Sequence, residues 1–293
     1  MSRDAVLLGG VPEPFQFEAP SAYLSRLALS QGCTVRELMQ FLRLRNDLDL
    51  DLQLHGDALA EFRRKCGLDE VAFSFAELVM DGFHFAKLRS RWLLSDSRGN
   101  ARFRVCPACL GETKNGGGGM RIYWRFGIWR YCPPHGCLTE ERCFACRSHI
   151  RFPVDMARTR AGLEGFASQR RCQNCAVDLA EAPKVAIDLN SPGQLTERER
   201  RWLLAGRKFV ATLCGEGHVD HHGLRPSIVR LTEAAADLPS HTSWPLVEAR
   251  IRSEARRHAA LAAGPLDNSG DQDRSPADDT VTLDPRWPWP VRR

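Results

Sequence analysis

Four short motifs decide how this chain reads: Cys106-Pro-Ala-Cys109, Cys132-Pro-Pro-His135, Cys143-Phe-Ala-Cys146 and Cys172-Gln-Asn-Cys175. A two-residue spacer lets both side chains of one tight turn converge on a single cation, and two such turns complete the tetrahedron that zinc accepts. Seven Cys and one His within 70 residues therefore predict two Zn²⁺ ions. Pairing the motifs in order gives one site from Cys106, Cys109, Cys132 and His135 and another from Cys143, Cys146, Cys172 and Cys175. The intervening loops then hold 22 and 25 residues. A crossed pairing satisfies the same stoichiometry, but the sequential one closes shorter loops at less entropic cost. Cys137 breaks the two-residue rhythm and reads as a bystander. With four protein ligands each, both ions would be structural, because no position stays open for water or substrate.

Working outward from the cysteines, the flanks are helical. From Pro20 to Leu94 apolar residues recur at helical spacing. Leu24, Leu27 and Ala28 share a face of a first helix that should stop at Gly32. Thr34-Val35-Arg36-Glu37 is a capping box opening a second helix, with Leu38, Phe41 and Leu42 as its buried stripe. Two helices joined by a Gly-containing turn suit a helix-turn-helix, an outline shared with helical bundles that never touch DNA. Ser74-Phe75-Ala76-Glu77 reads as another box, its helix stopping at Gly82. Thr196-Glu197-Arg198-Glu199 reads as a third, opening a helix with Trp202, Leu203 and Leu204. A last helix near Pro245 carries Leu246, Val247, Ile251 and Ala255. The expected fold is mainly α with two small zinc-ribbon-like modules. Its expected parts are an N-terminal helical region (1–100), a tandem zinc-finger region (101–182), a C-terminal helical region (183–263) and a disordered tail (264–293). The polar run from Gly264 cannot bury a core. Trp287-Pro288-Trp289-Pro290 inside it reads as stray aromatics of a tail, with a short docking peptide as the alternative. Gly116 to Gly119 reads as a loop tip.

The net charge is +5, and it is concentrated: residues 87–175 carry 17 basic and 6 acidic side chains. Only five of the 41 basic residues are Lys, so the charge is nearly all guanidinium, suited to forking onto phosphates or stacking on bases. Arg121, Arg125 and Arg130 alternate with Trp124 and Trp129, a mixture that base stacking and phosphate contact use. The same mixture serves the minimal core of a zinc ribbon. These five are the candidate nucleic-acid-binding residues.

Other chemistry finds no motif. No Lys follows a Gly, which removes the P-loop, and no His precedes a Glu, which removes H-E-x-x-H. The nucleophile elbow and the deaminase signature are also missing. Cys214, His218, His221 and His222 could hold a further metal, though a polar Gly-containing loop is the commoner explanation for such a group. No apolar run reaches the roughly 18 residues of a membrane span. The first residues make a poor secretory leader, so a cytoplasmic protein without catalytic residues is expected.

In order, these features resemble the TniQ family of bacterial transposon proteins, which includes TnsD-type target selectors. Pro14-Phe15 through Glu18, and Ser21-Ala22-Tyr23-Leu24-Ser25-Arg26-Leu27-Ala28, are similar to the family's N-terminal segment. Arg104-Val105-Cys106-Pro107-Ala108-Cys109-Leu110, Tyr123-Trp124-Arg125 with Trp129, Cys132-Pro133-Pro134-His135-Gly136 and the two later cysteine pairs are similar to its cysteine pattern. Cys143-Phe144 stands where Cys-Pro is common. The resemblance implies a bacterial, non-catalytic adaptor in DNA transposition with the eight paired residues as zinc ligands. Its partners would be target DNA or an RNA-guided effector complex, the AAA+ transposition ATPase and the transposase. The alternative is a zinc-ribbon scaffold that grips proteins and never touches nucleic acid.

Overall fold

The computed structural model describes residues 8–15, 17–45, 48–85, 92–96, 98–112, 119–156, 168–190, 193–213 and 244–262. The tail expected over 264–293, Gly116 to Gly118, and the group Cys214, His218, His221 and His222 lie outside them. The described residues form eight helices and little sheet. Helices α1 (Pro20–Ser30), α2 (Val35–Leu42), α3 (Leu50–Gln53), α4 (Asp57–Cys66) and α5 (Ser74–Phe85) come first. Strand β1 (Ala101–Arg102), helix α6 (Pro107–Glu112) and strands β2 (Tyr131–Cys132), β3 (Cys137–Leu138) and β4 (Arg151–Phe152) follow. Helices α7 (Glu197–Leu213) and α8 (Trp244–Ala262) close the order. The sheets are two antiparallel pairs, β1 with β4 and β2 with β3.

Local chemistry accounts for several helix ends. Pro20 supplies the preset φ of a first helical position in α1, and the chain leaves that helix at Gly32, in the left-handed region. The Thr34 hydroxyl accepts the Glu37 N–H, while the Thr34 N–H donates to the Glu37 carboxylate at 2.8 Å. Thr196 and Glu199 repeat that exchange ahead of α7. Ser74 differs: α5 begins on it, so Phe73 holds the cap position and its carbonyl accepts the Glu77 N–H. The Glu77 carboxylate turns instead to Arg63, 3.0 Å away, and α5 runs on through Gly82 to Phe85. The stripe of α2 also differs, because Val35 and Met39 are buried beside Leu38 and Leu42 while Phe41 is 41% exposed. In α7 and α8, Leu203, Ile251 and Ala255 are buried, whereas Leu204 and Leu246 face outward.

One core runs through the boundary expected at residue 100. It joins Tyr23, Leu27 and Phe62 of the N-terminal helices to Phe103, Tyr123, Trp124 and Trp129, and on to Phe209 of α7. A smaller cluster seats α8, with Trp244 and Ile251 against Leu138, Ile187 and Leu203. Polar ties cross the same boundary. Asp155 accepts the Val35 N–H at the start of α2, and Gln169 bonds both the buried Glu18 and the Ala22 carbonyl. Gly119 packs rather than tipping a loop, for a Cβ there would meet Glu18 and Phe15 atoms at 2.8–2.9 Å.

Candidate metal centres and their surroundings

The first centre is assembled from a helix start and a hairpin. Val105 bridges to Glu140, which fixes the chain just before Cys106. Helix α6 then carries Cys109 to the same side, and the Cys109 N–H points at Cys106 Sγ, 3.5 Å away. Across from it β2 and β3 pair, with Cys132 opposite Cys137, and a tight turn over Pro133–His135 closes at Gly136 in the left-handed region. Cys106, Cys109, Cys132 and His135 thereby bring their ligand atoms within 4.8 Å of one another. Cys109 Sγ to Cys132 Sγ is 3.6 Å, and His135 Nδ1 lies 3.3–3.6 Å from Cys106, Cys109 and Cys132. Arms of about 2.3 Å for sulfur and about 2.0 Å for nitrogen make tetrahedral edges of about 3.5–3.8 Å. The donor set fits zinc in type and span.

Charge is shared unevenly within this cluster, where burial and the neighbouring Cys106 push the Cys132 thiol up. The thiols of Cys109, Cys132 and Cys137 all turn towards Cys106 and hold its pKa far below the usual thiol range. Burial opposes a charged His135, yet Cys106, Cys109 and Glu112 outweigh it and push its pKa up to about 12. Such a concentration of electron-rich donors in a buried place calls for a cation. Glu112 lies 2.7 Å from His135 Nε2, the second contact that fixes the ring with Nδ1 towards the thiols. Cys137 Sγ is 3.6 Å from Cys106 Sγ but stands outside the tetrad.

The second centre is built from two turns of matching backbone. At Cys143 the N–H bonds the Ser148 carbonyl and the carbonyl accepts the Arg147 N–H. At Cys172 the N–H bonds the Val177 carbonyl and the carbonyl accepts the Ala176 N–H. Arg147 and Ala176 both sit at φ 61°, and Arg142 pairs with His149 as Arg171 pairs with Asp178. The same hydrogen bonds thus aim both Cys-x2-Cys motifs at a shared point. Cys143, Cys146, Cys172 and Cys175 converge within 4.8 Å, with Cys143–Cys175 and Cys146–Cys172 each at 3.6 Å. Burial works against ionising Cys146, but hydrogen bonds from Ser148 and Asn174 outweigh it and bring the thiol down to about 6. The grouping in both centres is sequential, not crossed.

Of the expected nucleic-acid residues, Trp124, Arg125, Trp129 and Arg130 are buried and Arg121 is partly exposed. Trp124 and Trp129 are 1% exposed, and Trp129 packs edge-on to Tyr123 at 5.0 Å. Arg125 is fully buried and spends all its donors inside: on Asp49 at 2.6 and 3.1 Å, on Asp51, on the Leu94 carbonyl at 2.8 Å and on the Arg102 carbonyl at 3.1 Å. Arg130 stacks on Trp244 and pairs with Glu248 of α8 at 2.5 Å. Arg121, half-buried, donates to the Tyr123 hydroxyl and lies over Trp124. The Arg and aromatic alternation therefore builds core. A desolvated guanidinium locked to carboxylates has nothing left to offer a phosphate.

Sequence reasoning missed the acids that hold these arginines. Asp49 and Asp51 flank the start of α3, where Asp51 also accepts the Ser21 N–H and hydroxyl at 2.7 and 2.8 Å. Glu248 serves Arg104, Arg130 and Arg252 together, and Arg252 reaches on to Glu140. Apart from the Glu248–Arg252 pair, four residues apart on α8, no short-range pattern marks them, since the other partners lie 74–144 residues apart. The arginines that remain exposed, with no ion pair among the described residues, include Arg36, Arg43, Arg98, Arg142 and Arg147; the last two flank the second centre. No helix among the described residues is long and apolar enough to cross a membrane.

Among curated proteins no match to the chain is found. Residues 10–138 match the TniQ family model, a stretch that takes in all four ligands of the first centre and ends before the second.

Proposed function

We propose that the chain is a zinc-dependent, non-catalytic adaptor in bacterial DNA transposition. It recognises target DNA, or an RNA-guided complex already on its target, and recruits the AAA+ ATPase and transposase. The observation that carries this reading is the TniQ match over residues 10–138, which contains a complete metal tetrad. Two Zn²⁺ ions, one per tetrad, would act structurally, holding short loops that hydrophobic burial alone cannot fix. Four protein donors in each tetrad argue against catalysis at the metals. Direct phosphate contact, in this reading, falls to exposed arginines such as Arg142 and Arg147 beside the second centre.

The scaffold reading draws on one specific observation, the burial of Arg125, Arg130, Trp124 and Trp129, which removes the most nucleic-acid-like stretch from the surface. One experiment separates the two. The purified chain should hold two zinc ions and shift duplex DNA with an affinity that falls steeply between about 50 and 200 mM salt. Arg142→Ala with Arg147→Ala should weaken that shift and leave assembly with the ATPase intact. DNA affinity indifferent to salt and to both substitutions would move the function to protein contacts alone.

A further inference from the structure

An aromatic groove on the N-terminal helical region has no part in either metal centre. It encloses about 360 Å³ between Glu13–Glu18 and the stretch Asp69–Ala76. Phe15, Phe17, Phe73 and Phe75 line it, with Phe17 edge-on to Phe75 at 4.6 Å. Val71 stands at its rim 73% exposed, beside a groove whose walls carry four phenylalanines. Phe17 and Phe73, on opposite walls, hold φ values of 66° and 63°. Bulky residues rarely adopt left-handed backbone, and where they do they gather at ligand clamps. Two acids stand at its rim: Glu13 and Asp69 are exposed and make no ion pair among the described residues.

A groove of this kind selects an extended, proline-stiffened peptide with large apolar side chains and positive ends. Proline-rich segments dock on aromatic-lined grooves because their conformation is set before binding and little entropy is lost. This chain contains such a segment, Arg286-Trp-Pro-Trp-Pro-Val-Arg-Arg293, with two Trp for the groove and three Arg for the acids. The 24 residues between Ala262 and Trp287 can extend to about 80 Å. A folded body of this size is about 45 Å across, so the tether reaches any face. We propose that the groove is the docking site of this chain's own Arg286–Arg293 segment, held intramolecularly. Tethering supplies an effective concentration on the order of millimolar, so even modest affinity keeps the groove filled.

The test uses a fluorescently labelled synthetic peptide of sequence Arg-Trp-Pro-Trp-Pro-Val-Arg-Arg and anisotropy titration of the full-length chain. Full-length protein carrying Trp287→Ala and Trp289→Ala should bind the peptide saturably and about 10-fold more tightly than the unaltered chain, whose own segment competes. Adding Glu13→Lys and Val71→Lys, both exposed positions, should weaken that binding about 10-fold while the circular dichroism melt stays unchanged. Absence of saturable binding to the Trp-substituted chain would overturn the proposal. So would equal affinity for both chains, or binding indifferent to the rim substitutions. A dimer in sedimentation that dissolves on Trp287→Ala and Trp289→Ala would overturn the intramolecular assignment, because the segment would then be serving a second copy.

Discussion

Replacing Arg125 with Met should act on stability before it acts on any partner. The guanidinium bridges Asp49 and Asp51 and caps the Leu94 and Arg102 carbonyls, all in the core. Breaking a buried ion cluster from one side leaves uncompensated charge and costs about 3–5 kcal/mol. The Arg102 carbonyl, left without that donor, adds about 1 kcal/mol, while the Leu94 carbonyl keeps the Arg102 N–H. The sum, about 5 kcal/mol, is comparable with the whole stability of an ordinary domain. The acids provide the control. Burial pushes the Asp51 carboxyl up from its ordinary value against the pull of Arg125, with Asp49 adding to the rise. A raised carboxyl contributes stability that is present below its unfolded value of about 3.9 and is lost as pH climbs through the folded value. Without Arg125 that loss deepens, so the deficit of Arg125→Met should be larger at neutral than at acid pH. The triple variant Arg125→Met, Asp49→Asn, Asp51→Asn should recover most of the stability, because no bare charge remains inside. Urea denaturation at several pH values, with zinc held saturating, measures both effects. An Arg125→Met chain that unfolds at the unaltered midpoint yet loses DNA binding would refute the reasoning and return Arg125 to the surface.

Two further perturbations test the packing. Gly206→Ala gains about 1 kcal/mol of helix propensity in α7, but its Cβ would lie 2.5 Å from the Ile128 carbonyl oxygen. Because backbone cannot swing aside, a net loss of about 1–3 kcal/mol is expected, read as a lowered melting temperature; an unchanged or raised one would contradict the close approach. Glu248→Ala strips the shared partner from Arg104, Arg130 and Arg252, and amide exchange in α8 should rise sharply as the helix undocks. In the unaltered chain burial opposes ionising Glu248, but the three arginines outweigh it and bring its pKa down to about 2. The stability this contributes is present above the unfolded value of about 4.3 and is lost as pH falls towards the folded one. Exchange in α8 should therefore rise over that acid window, and protection that holds below it would argue against the carboxylate as the anchor.

Several features were legible along the chain because the physics behind them is short-ranged. A Cys-x2-Cys turn converges through its own backbone, and the capping boxes at Thr34 and Thr196 satisfy N–H groups three residues away. Where a neighbour from afar competed, the local reading slipped. Glu77 was drawn off to Arg63, and Phe41 yielded its place in the core to Met39.

What the sequence by itself determined is the stock of ligands, their grouping by twos, the helical flanks and the resemblance to TniQ. Only the tertiary structure decided that Arg125 and Arg130 face inward, that Asp49, Asp51 and Glu248 await them, and that four phenylalanines from two distant stretches wall one groove. The reason is physical. A guanidinium next to tryptophan has the same composition on a surface as in a core, and only the position of a carboxylate dozens of residues away makes its burial affordable.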